Sequence, residues 1–588
     1  TPPAPGVFSY TNRFNGNWGV GNPNSVWTYG DLNGVFPGNP FEISQTGVIT
    51  VAAGAVCDIN PSHRIHDIQG PGTSTPIPGV NVTADAVVVG DFQVGGYNGF
   101  YIQEMDQNVD ANPATSEGVF VYFPANTVDV SVGDVVYVAG TAAEFSGQTQ
   151  ITSVSNVTIC GTGASVTPAT IDMPHTAIAN LEWYEGMSVI FPDELTVTDN
   201  YNMGRYGEVF LSSNGRQFQY THLFTPSISG YAAYEADIAL NRILIDDGRT
   251  DQNPLVPMPY LDPDVTLRAG STITNMTGVL GYGFSYYRVQ PTGLLTFTQS
   301  NPRANTAVNG DLKFASMNVL NYFTTIDTGA LICGPSQDMG CRGADTQDEL
   351  NRQRAKLLSA ITGIDADVLG LIEIENNVND DALIDLVNSL NAEVGAGTYA
   401  YIDTGTIGTD AIKVALIYKP ARVTPVGNYA ILDNSFDPAY QDNLNRPSLA
   451  QTFADNATNG RVTISVNHLK SKGCGGETGG DIDILDGQGC WNATRTAAAE
   501  ILATWLYGDP TGSGSDRFLI MGDLNAYAME DPITALKNAG LTNLPATFFG
   551  NDAYSYSFNG EFGYLDYALA SPGLLPYVSD LGEWHINS

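Results

Sequence analysis

The chain has 588 residues, a hydrophobic content of 43% and a formal net charge of -38. That length implies several domains, and no apolar run is long enough to span a bilayer. So acidic a balance excludes a protein that holds nucleic acid by bulk charge; an anionic substrate must be gripped locally, by a few cations and a metal. It suits a secreted protein in saline surroundings, where the Debye length shrinks to about 3 Å at 1 M salt. The sequence starts at Thr1, not Met, which fits an export signal already removed or never included. All seven lysines lie after residue 308.

Residues 1–44 are rich in Asn, Gly and Pro and form an irregular lead-in. Residues 45–165 read as a β-module, with strands at Gly47–Val51, Ala86–Phe92, Gly118–Tyr122 and Gly133–Gly140 separated by turn signals. Residues 166–307 repeat that grammar, with strands at Gly186–Phe191 and Ile273–Leu280. Within the first module, Asp106, Asn108, Asp110 and Glu117 carry oxygen side chains at calcium-loop spacing. Ala111, however, stands where such a loop needs Gly, and a polar hairpin loop is the plainer reading.

A polar joint at 303–310 leads into a domain, 308–588, of alternating strands and helices. Strands are expected at Leu312–Val319, Asp367–Ile374, Val414–Tyr418, Val462–Val466 and Phe518–Met521. Thr346-Gln347-Asp348-Glu349 reads as a capping box before a helix with Leu350, Leu357, Leu358 and Ile361 on its apolar face. Further helices are expected at Ala382–Leu390, Thr494–Tyr507 and Asp531–Gly540. Of six cysteines, Cys333 with Cys341 and Cys474 with Cys490 are close in sequence and lie in Gly-rich loops. They read as local disulfides with Cys57–Cys160 as the third, which implies an oxidising compartment.

Several strands of this last domain end on a polar residue able to do chemistry. Asn318 ends Phe314-Ala315-Ser316-Met317-Asn318. Glu373 interrupts the apolar run Leu371-Ile372-Glu373, and His468 closes Val466-Asn467-His468. Asp523 and Asn525 follow Gly522, and Asp566 and His585 come near the C-terminus. A carboxylate and an amide at a strand exit suit Mg²⁺ or the orientation of a water. Singly, each is more often structural; together, in this order, they are improbable by chance.

The order Asn, Glu, His, Asp-x-Asn, Asp-Tyr, His resembles the endonuclease/exonuclease/phosphatase superfamily, with its DNase-I-like fold. The wider sequence resembles bacterial extracellular nucleases of the ExeM/NucH type. The wider likeness rests on Ile65-His66-Asp67-Ile68-Gln69-Gly70, Thr115-Ser116-Glu117-Gly118, Tyr184-Glu185-Gly186-Met187, Cys341-Arg342-Gly343-Ala344, Asn467-His468-Leu469-Lys470-Ser471-Lys472-Gly473 and Trp584-His585-Ile586-Asn587. The resemblance implies OB-like β-modules before a two-sheet α/β sandwich. It implies Glu373, helped by Asn318, as the Mg²⁺ or Mn²⁺ ligand; structural Ca²⁺ is expected only from the loop spacing of Asp106, Asn108, Asp110 and Glu117. Asp523 and Asn525 would hold the attacking water, His468 would donate to a phosphate oxygen, and Asp566 would orient His585. Many members carry Asp where Trp584 stands here, which puts a second metal in doubt.

Lys470, Lys472, Arg446 and Arg495 are the cations expected to meet phosphate, with Arg352 and Arg354 as further candidates. The function expected is a secreted, metal-dependent nuclease acting on DNA, with RNA as a further substrate, as a monomer with no membrane span. A phosphodiesterase or phosphomonoesterase on small organic phosphates or lipid head groups keeps the same site. An adhesion or glycan-binding protein with an inactive enzyme domain is the alternative of another class.

Overall fold

The structure, a computed structural model, describes residues 7–9, 42–43, 48–50, 60–254, 257–303 and 307–586. The proposed Cys57–Cys160 bridge, most of the lead-in and Asn587 lie outside the described residues. By contact the chain divides into two units: Thr1–Arg216 with Ile238–Asn301, and Gln217–Asp237 with Pro302–Ser588.

In the first unit, five strands close into a barrel: Asn81–Phe92, Gly99–Gln103, Gly118–Tyr122, Gln148–Gly161 and Val135–Phe145, in that spatial order. Alternation sets the inner face, as along Val135–Phe145, where every second residue to Ala142 is buried. Ile65 and Ile68 of the short helix Ile65–Gln69 join that core. An eight-stranded sheet follows, with its own core around Val197, Leu211, Ile245 and Leu280. The second β-grammar therefore differs from the first in strand number.

Three of the short motifs meet inside this unit. The Gln69 side chain donates to the Gly118 carbonyl at 2.6 Å, and Ser116 Oγ donates to the Glu185 carbonyl at 2.6 Å. A Cβ on Gly118 would lie 2.1 Å from the Gly186 carbonyl carbon, so the two backbones pass where only glycine fits. These motifs build a junction.

Two larger sheets form the body of the second unit, with a three-stranded and a two-stranded sheet beside them among the described residues. One orders its strands Phe314–Tyr322, Val368–Glu375, Ile412–Tyr418 and Ala400–Tyr401. The other orders them Val423–Leu432, Arg446–Asp455, Arg461–His468, Phe518–Asp523, Asp566–Ala570 and Thr542–Asn543. Val368, Ile372 and Leu416 of the first share a core with Leu449, Val466 and Met521 of the second. Helices Gln347–Ile364 and Asp381–Val394 share a second core with the four-stranded sheet. Helices Asn492–Tyr507 and Asp531–Asn538 do the same with the six-stranded one.

The helix Gln347–Ile364 shows how the sequence sets this up. Thr346 Oγ accepts from the Glu349 amide at 3.2 Å, while the Glu349 carboxylate reaches the Asp345 amide at 3.0 Å. The cap is therefore displaced by one residue from a strict capping box. Leu350, Leu357 and Ile361 are buried and Leu358 is half-buried; each fully buried one contributes about 1.5–3 kcal/mol.

The stretch Gln217–Asp237, inside what reads as the second β-module, folds with the second unit. Its strand Gln217–Phe218 pairs in parallel with Glu561–Gly563. Hydrophobic pattern is local, and nothing local in these residues signals a partner more than 300 positions away.

Candidate active site

Register gathers the site. Arg446 lies opposite His468, His468 opposite Asp523, and Asp523 opposite Asp566, on four neighbouring strands. Directly opposed residues share a sheet face, so these four form one row. Gly522 lets the row form: a Cβ there would meet the Asn467 carbonyl oxygen at 2.2 Å, and its φ is +118°. The other sheet contributes Asn318 and Glu373. Both strands break register there, between Asn318 and Tyr322 and between Leu371 and Ile374. Leu320, Asn321 and Glu373 have φ of 53°, 52° and 65°, and Asn525 has 49°. Left-handed non-glycine residues cost on the order of 1–3 kcal/mol each and cluster at functional sites.

Hydrogen bonds fix several of these side chains. Asn318 Oδ1 accepts from the Leu320 amide at 2.8 Å, inside the bulge. Asp523 Oδ1 accepts from the Asn525 amide at 2.9 Å. Asn525 Nδ2 donates to the Leu469 carbonyl at 3.0 Å, tying the exit of one strand to that of its neighbour. His468 Nε2 lies 3.9 Å from Glu373 Oε1, linking the two sheets.

The electrostatics are unbalanced. Burial, then the neighbouring Asp566 and Glu373, push the Asp523 carboxyl well above the usual range. Burial also raises Asp566, with Glu373 and Glu583 adding to it. Three carboxylates thus lie close enough to repel one another. That donor set fits a divalent cation, whose charge would offset the repulsion. Burial pushes His468 down to about 3, assisted by Arg446, Arg342 and Lys470. The ring is therefore neutral, and its buried Nδ1 has no hydrogen-bond partner.

Arg342 and Asp410 escape sequence reasoning. Asp410 holds Arg342 and Arg446, each at 3.0 Å. Arg342 directly follows Cys341, so the Cys333–Cys341 bridge fixes its position. That adjacency in Cys341-Arg342 was the available signal. Lys470 sits over the Trp491 ring at 5.2 Å, and Trp491 follows Cys490 of the Cys474–Cys490 bridge. Each bridge thus flanks one cation of the site. Reductant should lower activity before the barrel melts, measured by turnover and thermal unfolding on the same sample.

Lys472 and Arg495 are placed otherwise than expected. Lys472 Nζ donates to Glu530 and, at 2.7 Å, to the Gln488 carbonyl. Burial, partly offset by Glu530, lowers Lys472 to about 8. Arg495 is fully buried and donates to the Gln488, Cys490 and Lys470 carbonyls at 3.0, 2.7 and 3.3 Å. Their charges serve a buried Glu530-centred network and are already engaged, so they shape the Lys470 loop. Glu530→Ala leaves two buried cations uncompensated and should destabilise this unit by about 3–5 kcal/mol, measured by denaturant unfolding. Arg354 is likewise engaged, by Asp385 at 2.9 Å, and Arg352 lies on the exposed helix face near Glu349, at 3.8 Å.

His585 stacks on Tyr554, with ring centroids 3.7 Å apart, and its Nε2 lies 2.8 Å from the Tyr554 carbonyl. A main-chain oxygen thus takes the tautomer-fixing role expected of Asp566. Trp584 packs on the helix Gln347–Ile364, where a Cβ on Gly363 would lie 2.5 Å from its ring.

Among the proposed calcium ligands, Asp106 accepts from Thr167, at 2.9 Å from the amide and 2.7 Å from the hydroxyl. Asn108 lies in the single turn Asp106–Asn108. Asp110 and Glu117 gather instead with His66, their ligand atoms within 4.8 Å of one another. Glu117 Oε2 meets His66 Nδ1 at 2.9 Å and Oε1 accepts from the Asp110 amide at 2.8 Å.

Residues 316–587 match the Endonuclease/Exonuclease/phosphatase family, and residues 149–300 match a domain of unknown function, DUF8508. The second unit therefore carries a domain of the endonuclease/exonuclease/phosphatase superfamily. Members of that superfamily are phosphoesterase hydrolases and are generally divalent-metal dependent. Similar solved structures include the human Nocturnin catalytic domain, at 19% identity, covering 37% of this chain and 75% of that one with a TM-score of 0.25. Another is an endonuclease/exonuclease/phosphatase from Bacteroides vulgatus, at 13% identity, 44% and 87% coverage, and a TM-score of 0.30. A third is humanized D. rerio TDP2, at 14% identity, 44% and 83% coverage, and a TM-score of 0.29. No curated protein matches the chain. Among the described residues, no helix is long and apolar enough to cross a membrane.

Proposed function

We propose that the second unit hydrolyses phosphodiester bonds of nucleic acid, DNA or RNA, outside the cell. The observation that carries this reading is the row Arg446, His468, Asp523 and Asp566, one strand apart each, with Glu373 3.9 Å from His468. Glu373 and Asn318 would hold a divalent cation, Mg²⁺ or Mn²⁺, whose chemistry is to offset charge on the phosphate oxygens and acidify water. Asp523, fixed by the Asn525 amide, orients the attacking water. Neutral His468 keeps a ring N–H for a phosphate oxygen, a contact that strengthens as charge develops there. Arg342, Arg446 and Lys470 form the local cationic patch that a chain of net charge -38 needs to hold a polyanion. His585 serves as the acid–base or phosphate-stabilising group.

The bridges Cys333–Cys341 and Cys474–Cys490 support an oxidising, extracellular setting. We read the closed five-stranded barrel as OB-like and assign it an accessory role beside the enzyme. The decisive experiment is a divalent-metal screen on supercoiled plasmid, linear DNA, RNA and a phosphomonoester. Plasmid nicking with Mg²⁺ or Mn²⁺ is the expected result. Phosphate release from the monoester with the plasmid left intact would overturn the nuclease reading in favour of a phosphomonoesterase.

A further inference from the structure

The stretch Gln217–Asp237 interrupts the first unit in sequence and folds onto the second. It docks by main chain first: the Gln219 amide donates to the Phe562 carbonyl at 2.8 Å, and the Met529 amide donates to the Thr221 carbonyl at 2.8 Å. A further main-chain bond runs from the Ser227 amide to the Asp486 carbonyl at 3.1 Å, and the His222 side chain adds a contact of Nε2 with the Asn551 carbonyl at 2.9 Å.

Thr221 is the point of contact with the chemistry. It is fully buried, and its hydroxyl donates to Glu530 Oε1 at 2.8 Å. Glu530 is also fully buried and is the counter-charge of Lys472 and Arg495. Arg495 in turn holds the Lys470 and Cys490 carbonyls, and Lys470 is two residues past His468. The chain of contacts runs from Thr221 through Glu530 and Arg495 to the segment that bears the phosphate-site lysine. Thr221 also contacts the opposite end of the disulfide loop, its Oγ lying 3.2 Å from the Gly487 carbonyl. A buried carboxylate facing two cations is sensitive to each hydrogen bond it accepts, because the surrounding dielectric is low.

We propose that Gln217–Asp237 is a positioning strap for the active site, and that the Thr221 hydroxyl, acting through Glu530, sets the conformation of the Lys470–Cys490 loop. Thr221 touches no substrate in this scheme; it is a positioning residue for the phosphate-binding end. The inference rests on the proposed function for its kinetic consequence only. Its structural consequence, the ordering of one loop, is independent of what the enzyme cleaves.

The test compares Thr221→Val, which keeps shape and loses the hydroxyl, with Thr221→Ser, which keeps the hydroxyl, both in the full chain. In Thr221→Val, amide hydrogen exchange across 469–490 should quicken by about tenfold, the scale of losing one hydrogen bond to a charged group. Exchange in the strands Arg461–His468 and Phe518–Asp523 should stay as it is. KM for plasmid should rise by about tenfold with kcat nearly unchanged, because Lys470 binds and does not react. Thr221→Ser should restore both readouts. Unchanged exchange at 469–490 in Thr221→Val would overturn the strap, and so would exchange that quickens equally throughout the unit. If the unaltered protein cleaves no phosphodiester at all, the proposed function fails while the exchange experiment still decides the strap.

Discussion

Glu373→Gln and Asp523→Asn should each lower turnover by roughly two orders of magnitude or more, the scale of losing a key electrostatic group in a preorganised site. Both changes keep shape and remove charge. Glu373 projects from a bulge at φ 65°, a conformation its strand would not otherwise adopt. The backbone distortion would persist in the Gln variant, so the fold should be retained while the carboxylate ligand is lost. Asp523 is held by the Asn525 amide at 2.9 Å and crowded by Asp566 and Glu373. Replacing one of three facing carboxylates relieves repulsion, so the Asn variant should unfold no earlier than the unaltered protein. Turnover at saturating metal, set beside a melting curve, separates the two effects. Near-normal turnover for either variant would sink its assignment.

His585→Ala should cost roughly 10²–10⁴ in kcat, the range of a general acid–base group. The imidazole is stacked on Tyr554 at an interplanar angle of 5°, and Nε2 faces the Tyr554 carbonyl. Because a carbonyl only accepts, Nε2 carries a proton there. That assignment makes a second measurement informative. Asp566→Asn should cost less than His585→Ala, since the ring is anchored by main chain and by the Tyr554 face. Equal losses would return the orienting role to Asp566. Full activity in His585→Ala would remove the histidine from the mechanism.

The candidate set stands out in the sequence because each member breaks a local rule. A glutamate inside Leu371-Ile372-Glu373-Ile374 and a histidine closing an apolar strand stand out against their neighbours. The structure adds the reason they converge: strand register aligns Arg446, His468, Asp523 and Asp566. What sequence could not show is which cations are already spoken for. Lys470 and Lys472 look alike two positions apart, yet one faces Trp491 and the other is matched to Glu530. Arg342 and Asp410 lie in connecting segments with no periodicity to mark them. The strap was least legible of all, because its grammar is that of the module it interrupts in sequence.

That strap also imposes an order on the molecule's assembly. Gln219 Nε2 donates to the Phe558 carbonyl across 339 positions of chain. At a synthesis rate of about 5–20 residues per second, the strap exists for tens of seconds before its partner strand does. During that interval Gln217–Phe218 awaits its partner strand, close in sequence to the ring cluster of Tyr220, Phe224 and Tyr234, the kind of surface that invites misassociation. Packing around the Lys470–Cys490 loop is therefore completed late, when an early-made segment meets a late-made one, and the protein cannot be matured simply by folding its units in turn.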